Sequence, residues 1–208
     1  MKIFLDSVDL TEIKKLNDYG VIDGITTNPT LMSSVSMDFT EVISKITGIV
    51  KGDISIEVAS NDYASMIVEG NKILEINDSL VIKLPLTWDG IKACNYFAKQ
   101  NIKVNMTLCF SLNQALLAAK SGATYVSPFV GRLEDIGKDG VGLVADIRTT
   151  YNNYGINSFG RNNRRSINRF SEERPGVGEP DRFQKIHFLK TDHRYVRSQK
   201  ERQIYLTE

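Results

Sequence analysis

One lysine, Lys83, stands in the middle of an apolar run, SLVIKLPLTWDG (79–90). Leu80, Val81, Ile82, Leu84 and Leu86 surround it, and the run is bounded by Asp78-Ser79 and Asp89-Gly90. So short and apolar a stretch predicts a strand buried on both faces, of the kind that parallel sheets covered by helices contain. An ammonium buried there without a partner is costly, so the residue needs a reason. One reason is chemical. A low-dielectric pocket lowers an amine's pKa, and a neutral amine attacks a ketone to give an iminium, an electron sink for cleaving or forming C–C bonds. The other is structural: Lys83 could be held in an ion pair with Glu57 or Asp6.

The remaining candidates carry the same two-sided reading. Glu57 and Asp6 can relay protons to an imine or simply balance the lysine's charge. Asp6 could also cap the first helix, although Ser7 is better placed for that. Thr26, Asn28, Thr107 and Ser127 are neutral hydrogen-bonding groups suited to a polyhydroxylated ligand, or to solvation at the mouth of a barrel. Arg132, in SPFVGRLEDIG, could clamp a phosphate or pair with Glu134 or Asp135. Trp88 is expected in the core or in helix–sheet packing. No metal site is expected, because both histidines fall after residue 156 and no ligand spacing precedes them. Cys94 and Cys109 form no CxxC and suggest no disulfide framework.

Six strand-like runs must position these groups: 2–6, 21–28, 54–60, 80–86, 103–110 and 124–130. Between them lie helical patterns, the clearest being Leu112, Ala115, Leu116 and Ala119, with Ser111 as N-cap and Gly122 just past the end. Strict β-α alternation implies a parallel sheet with right-handed crossovers. Units of roughly 20–30 residues favour a (β/α)8 barrel, with an open doubly wound sheet as the alternative. Neither GxGxxG after the first strand nor GxxxxGK[ST] occurs, which weakens the nucleotide-binding option. Side chains alternate along strands, so an inward Lys83 brings Val81 with it. The same parity puts Phe4 and Asp6, Thr26 and Asn28, Ser55 and Glu57, Asn105 and Thr107, and Tyr125, Ser127 and Phe129 inside. Polar groups thus gather towards the C-terminal ends of the strands, where barrel enzymes place their chemistry.

The net charge of +1 argues against whole-chain binding to nucleic acid or a membrane surface. No run approaches a membrane span, and the first residues, MKIFLDSVDL, are too poor in apolar residues for a signal peptide, so a cytoplasmic location is expected. Residues 157–208 differ in texture. They hold nine of the eleven arginines, both histidines and no alanine. KIHFL (185–189) is their one strand candidate, and low apolar content reads as disordered or loosely structured.

With these residues assembled, FLDS (4–7), GITTNPTL (24–31), SIEV (55–58), VIKLPLTWDGIKA (81–93) and NMTLCFSLNQALLAAKSGATYVSPFVGRLEDIG (105–137) resemble the small transaldolase family, which includes the fructose-6-phosphate aldolases. The resemblance covers residues 1–156. It implies a (β/α)8 TIM barrel with strands 1–6 readable here and a Schiff-base lysine, Lys83, on the fourth. It makes Asp6 the acid/base at the substrate's C4 hydroxyl, and Glu57 with Thr107 the holders of a water that shuttles protons. Thr26, Asn28 and Ser127 would hold the dihydroxyacetone portion and Arg132 the phosphate. Aldolase-type members carry Gln at the Glu57 position and Tyr at the Phe129 position; Glu57, Ser127 and Phe129 resemble the transaldolase pattern. The implied reaction is transfer of a dihydroxyacetone unit from sedoheptulose 7-phosphate or fructose 6-phosphate to an aldose phosphate, in the pentose-phosphate pathway. No cofactor is implied, the partners are sugar phosphates, and intact members are expected to be homo-oligomers. The alternative enzyme is a fructose-6-phosphate aldolase.

The family pattern for a seventh and eighth unit is not visible after Gly155. The abrupt change divides the chain into a barrel portion, 1–156, and an atypical basic tail, 157–208, as a reading-frame shift would. A genuine basic tail and a swapped-in module are the other readings. A non-catalytic remnant whose Arg161–Arg165 run binds nucleic acid is the rival from another functional class, though a solvated charge run is the commoner meaning. With closure in doubt, little or no transaldolase activity is expected of the chain as written.

Overall fold

The structure, a computed structural model, describes residues 2–156 and 206–207. Strands and helices alternate: β1 (Lys2–Asp6), α1 (Leu10–Asp18), β2 (Gly24–Thr26), α2 (Pro29–Ser33), α3 (Phe39–Ile49), β3 (Asp53–Glu57), α4 (Tyr63–Ile76) and β4 (Val81–Pro85). They continue as α5 (Trp88–Lys99), β5 (Val104–Cys109), α6 (Leu112–Ser121), β6 (Tyr125–Pro128), α7 (Val130–Glu134), α8 (Gly140–Asn153) and β7 (Leu206–Thr207). The six longer helices all start on a short polar N-cap: Asp9, Asp38, Asp62, Thr87, Ser111 and Asp139 each accept backbone N–H bonds from the first turn. Gly122 ends α6 at φ 99°, a left-handed conformation that glycine adopts without steric cost.

The sheet runs β6-β5-β4-β3-β2-β1-β7, with β1 to β6 parallel and β7 antiparallel to β1. It is a curled, partial (β/α)8 barrel. The Phe4 ring of β1 meets the Tyr125 ring of β6 edge-on, with centroids 5.5 Å apart, although four strands separate them in the sheet. Two apolar layers follow from strand alternation. Ile25, Ile54, Ile56, Ile82, Leu84, Val104 and Met106 join the helix-side core, whereas Phe4, Val81 and Tyr125 form a separate small cluster inside the curl. The inward parity read from the sequence is therefore the observed one. No helix among the described residues is long and apolar enough to cross a membrane.

The structure corrects several local expectations. The strands are mostly shorter than the apolar runs that predict them, most of all β2, which keeps only Gly24–Thr26 of 21–28. Two five-residue helices, α2 and α7, follow β2 and β6, where no helical pattern is read from the sequence. Neither is long enough to show a helical repeat in sequence. Asp9, not Ser7 or Asp6, caps α1; the Ser7 hydroxyl instead donates to Glu12 and accepts from the Asp9 N–H. Trp88 is 78% exposed rather than packed, because it opens α5 at the end of β4 and lies beyond the helix–sheet seam. KIHFL and Arg161–Arg165 lie outside the described residues.

Candidate active site

Lys83 sits at the centre of β4, flanked by β3 and β5, and is 1% exposed. Its ammonium lies 3.0 Å from a Glu57 carboxylate oxygen and donates to the Thr27 carbonyl at 2.9 Å. Glu57 is its register partner on β3, so the pair follows directly from strand pairing. The carboxylate side chain is 16% exposed against 2% for the lysine. The charge is therefore balanced from the side that water can reach, which lowers the cost of burying it. Of the two partners the sequence suggests, Glu57 stands at ion-pair distance.

Around this pair the structure assembles most of the candidate groups. Asp6 accepts from the Thr26 hydroxyl at 2.7 Å, across the β1–β2 register pair. Thr26 in turn stands beside Ser55 on β3. Ser127 is fully buried and donates to Asn105 at 2.7 Å, and Asn105 donates to Ser55 at 3.3 Å. Thr107 is fully buried, and its hydroxyl has no hydrogen-bond partner among the described residues. A buried hydroxyl left so is costly unless something else fills the bond. Asn28 is N-cap of α2, its carboxamide oxygen accepting from the Leu31 N–H, so the amide NH2 is what it can offer a ligand.

The outer candidates sit at the rim. Phe129 is half-buried just after β6, and its ring packs against that of Phe110 at 5.3 Å. Arg132 lies on α7, exposed. Gly90, in the first turn of α5, lets that helix approach β4 closely: a Cβ there would lie 1.8 Å from the Pro85 carbonyl oxygen. The helix N-terminus is thus drawn up against the end of the lysine strand.

At the other end of the interior the chemistry is different. The Tyr125 hydroxyl donates to Asp53, which also takes a 2.6 Å bond from Lys103. Burial, together with the adjacent Asp53 carboxylate, pushes the Tyr125 phenol well above the ordinary tyrosine range. This end is a structural plug.

Sequence reasoning placed Asn105 and Ser55 inside but missed their function as links in a buried Ser127–Asn105–Ser55 chain. Their inward parity and their mutual register across β4 were the available signals. It also missed the Thr27 carbonyl, which no side-chain pattern reveals.

The comparisons with known proteins agree with this geometry. A family model described as "Transaldolase/Fructose-6-phosphate aldolase" matches residues 3–164. A protein of Ruegeria sp. named "Probable transaldolase" is 53% identical over 156 residues, spanning 75% of this chain and 72% of that protein. One of Nitrosopumilus maritimus with the same name is 54% identical over 154 residues, 74% of this chain and 69% of that protein. A Brucella ovis protein, also so named, is 54% identical over 154 residues, 74% of this chain and 71% of its own length. A curled β/α barrel, a buried lysine with a carboxylate partner and matches of this extent lead to one conclusion: the chain belongs to the transaldolase/fructose-6-phosphate aldolase family.

Proposed function

We propose that the protein is a Schiff-base transaldolase that moves a dihydroxyacetone unit between sugar phosphates, with Lys83 as nucleophile. The observation that carries this reading is the ammonium of Lys83, a residue only 1% exposed, 3.0 Å from Glu57 in an interior ringed by buried hydroxyl and amide groups. Glu57 accepts the lysine's proton, and the neutral amine adds to the C2 carbonyl of the ketose phosphate. Loss of water gives the iminium. Asp6 takes the C4 hydroxyl proton, the C3–C4 bond breaks into the iminium, and an aldose phosphate leaves with an enamine remaining on Lys83. The enamine adds to an incoming aldehyde, Asp6 returns the proton, and water hydrolyses the imine.

A water held between Glu57 and the unpartnered Thr107 hydroxyl would carry protons to and from the carbinolamine. Thr26, Asn28 and Ser127 would hold the hydroxyls of the three-carbon unit, and Arg132 the phosphate. Transfer is favoured over release because Phe129 carries no hydroxyl to place a water beside the enamine. The test is borohydride reduction with fructose 6-phosphate present, followed by peptide mapping. A dihydroxyacetone adduct on the Lys83 peptide is expected; an adduct confined to another lysine overturns the assignment.

A further inference from the structure

We propose that Leu108 is a positioning residue: its left-handed backbone in a bulge of β5 keeps Thr107 on the interior side while sending Cys109 out of it. The part of this that concerns catalysis rests on the roles given above to Lys83 and Thr107. Leu108 has φ 61°, and among the described residues the other non-glycine with positive φ is Asn101. Asparagine tolerates that region, whereas a leucine there is crowded against the backbone. The pairing shows what the conformation does. Met106 stands opposite Val126 and Cys109 opposite Pro128, so β5 spends one residue more than β6 over the same span.

The neighbours of Leu108 are tied in opposite directions. The Thr107 carbonyl accepts from the Leu86 N–H on the β4 side, and the Cys109 carbonyl from the Phe129 N–H on the β6 side, each at 2.9 Å. Leu108 itself is 37% exposed, so packing of its side chain does not compensate the strained backbone. What the conformation secures lies on either side. Thr107 and Cys109 are odd-numbered neighbours that plain alternation would put on one face. Instead Thr107 stays with Asn105 on the interior side, while Cys109 is fully buried in the helix-side core. Strain that persists beside a candidate reacting group, without local packing to explain it, is where positioning functions are found.

Two substitutions in the full chain test this. Leu108→Gly keeps the left-handed conformation available; Leu108→Val, being β-branched, drives the residue towards extended backbone. Alkylation by iodoacetamide, mapped by mass spectrometry, reads the backbone switch directly. Cys94 is fully buried on α5 and reports general loosening. In the parent and in Leu108→Gly both cysteines should react slowly, in keeping with thiols that burial pushes up to about 11. In Leu108→Val, Cys109 should react at least tenfold faster while Cys94 stays protected. The yield of borohydride adduct on Lys83 should fall at least tenfold in Leu108→Val and be retained in Leu108→Gly. It should fall no further when Leu108→Val is added to Thr107→Val, because the group being positioned is already gone. Unchanged Cys109 protection in Leu108→Val, or parallel exposure of Cys94 and Cys109, overturns the proposal; so does equal loss of adduct in both variants. If the parent forms no adduct, the Lys83 mechanism fails by itself and the alkylation pattern still decides whether Leu108 sets the backbone.

Discussion

The two ends of the barrel interior are built from the same strands and do opposite things. At the N-terminal ends Phe4, Val81 and Tyr125 close into an apolar cluster sealed by the Tyr125–Asp53–Lys103 bonds. Two residues further along the same strands come Asp6, Lys83 and Ser127. One step of two residues, about 6.6 Å of strand, separates plug from chemistry. The lower layer is satisfied internally. The upper layer holds a charge pair open to water on one side and a threonine hydroxyl with no partner among the described residues. A stable lower layer is what allows the upper one to keep groups poised for a ligand.

The sharpest break of this comparison is Lys83→Met. It is expected to abolish borohydride-trapped adduct altogether while leaving a folded chain, read by peptide mapping alongside a denaturation curve. Removing the cation alone leaves Glu57 without its partner and should cost about 1–3 kcal/mol. Adding Glu57→Gln should recover part of that without recovering the adduct, since a neutral pair is cheaper to bury. The converse applies at the plug. Phe4→Ala removes a ring that is 4% exposed and should lower unfolding free energy by about 3–5 kcal/mol, yet leave adduct yield per folded molecule close to that of the parent. If Phe4→Ala suppressed the adduct as strongly as Lys83→Met, the division into plug and site would fail.

Sequence shows this division because strand parity is a rigid rule. Once Lys83 is placed inside, Val81 follows from alternation, and Glu57, Asn105 and Ser127 follow when the polar alternate of each neighbouring strand is put on the same side; the observed layers obey this. The rule stops at Leu108. A leucine in left-handed conformation has no local signature; tertiary pairing on both sides imposes it. Trp88 was misplaced for a related reason: hydrophobicity says that an indole prefers burial, but not that its Cα begins a helix beyond the sheet. The short helices α2 and α7, which carry the turn after Asn28 and place Arg132, lie below the length at which periodicity is readable.

Within the upper layer, Glu57→Gln combined with Phe129→Tyr should move the partition several-fold from transfer towards release of free dihydroxyacetone. The new phenol would sit where Phe129 now packs on Phe110 and could place a water beside the enamine. Product analysis with and without an aldehyde acceptor measures this, and an unchanged partition would sharpen attention on groups deeper in the site.

The smallest effect belongs to the plug and is a matter of sign. Tyr125 has its phenol pKa raised by burial and by Asp53, so the folded state holds the proton more tightly than the unfolded chain, whose tyrosines titrate near 10. Stability from this group is therefore constant below about pH 10 and declines as the unfolded chain ionises above it. Tyr151, raised chiefly by burial, adds to the same slope, and the two buried thiols begin theirs at lower pH. Tyr125→Phe loses the bond to Asp53, for about 1–3 kcal/mol at neutral pH, but also loses its share of the alkaline decline. The gap between parent and variant should thus narrow by roughly 1 kcal/mol between pH 9 and pH 11 in urea titrations, while both curves still fall. A gap that stayed constant would mean that the Tyr125 phenol ionises alike in both states, and that the plug is sealed by packing of Phe4 and Val81 alone.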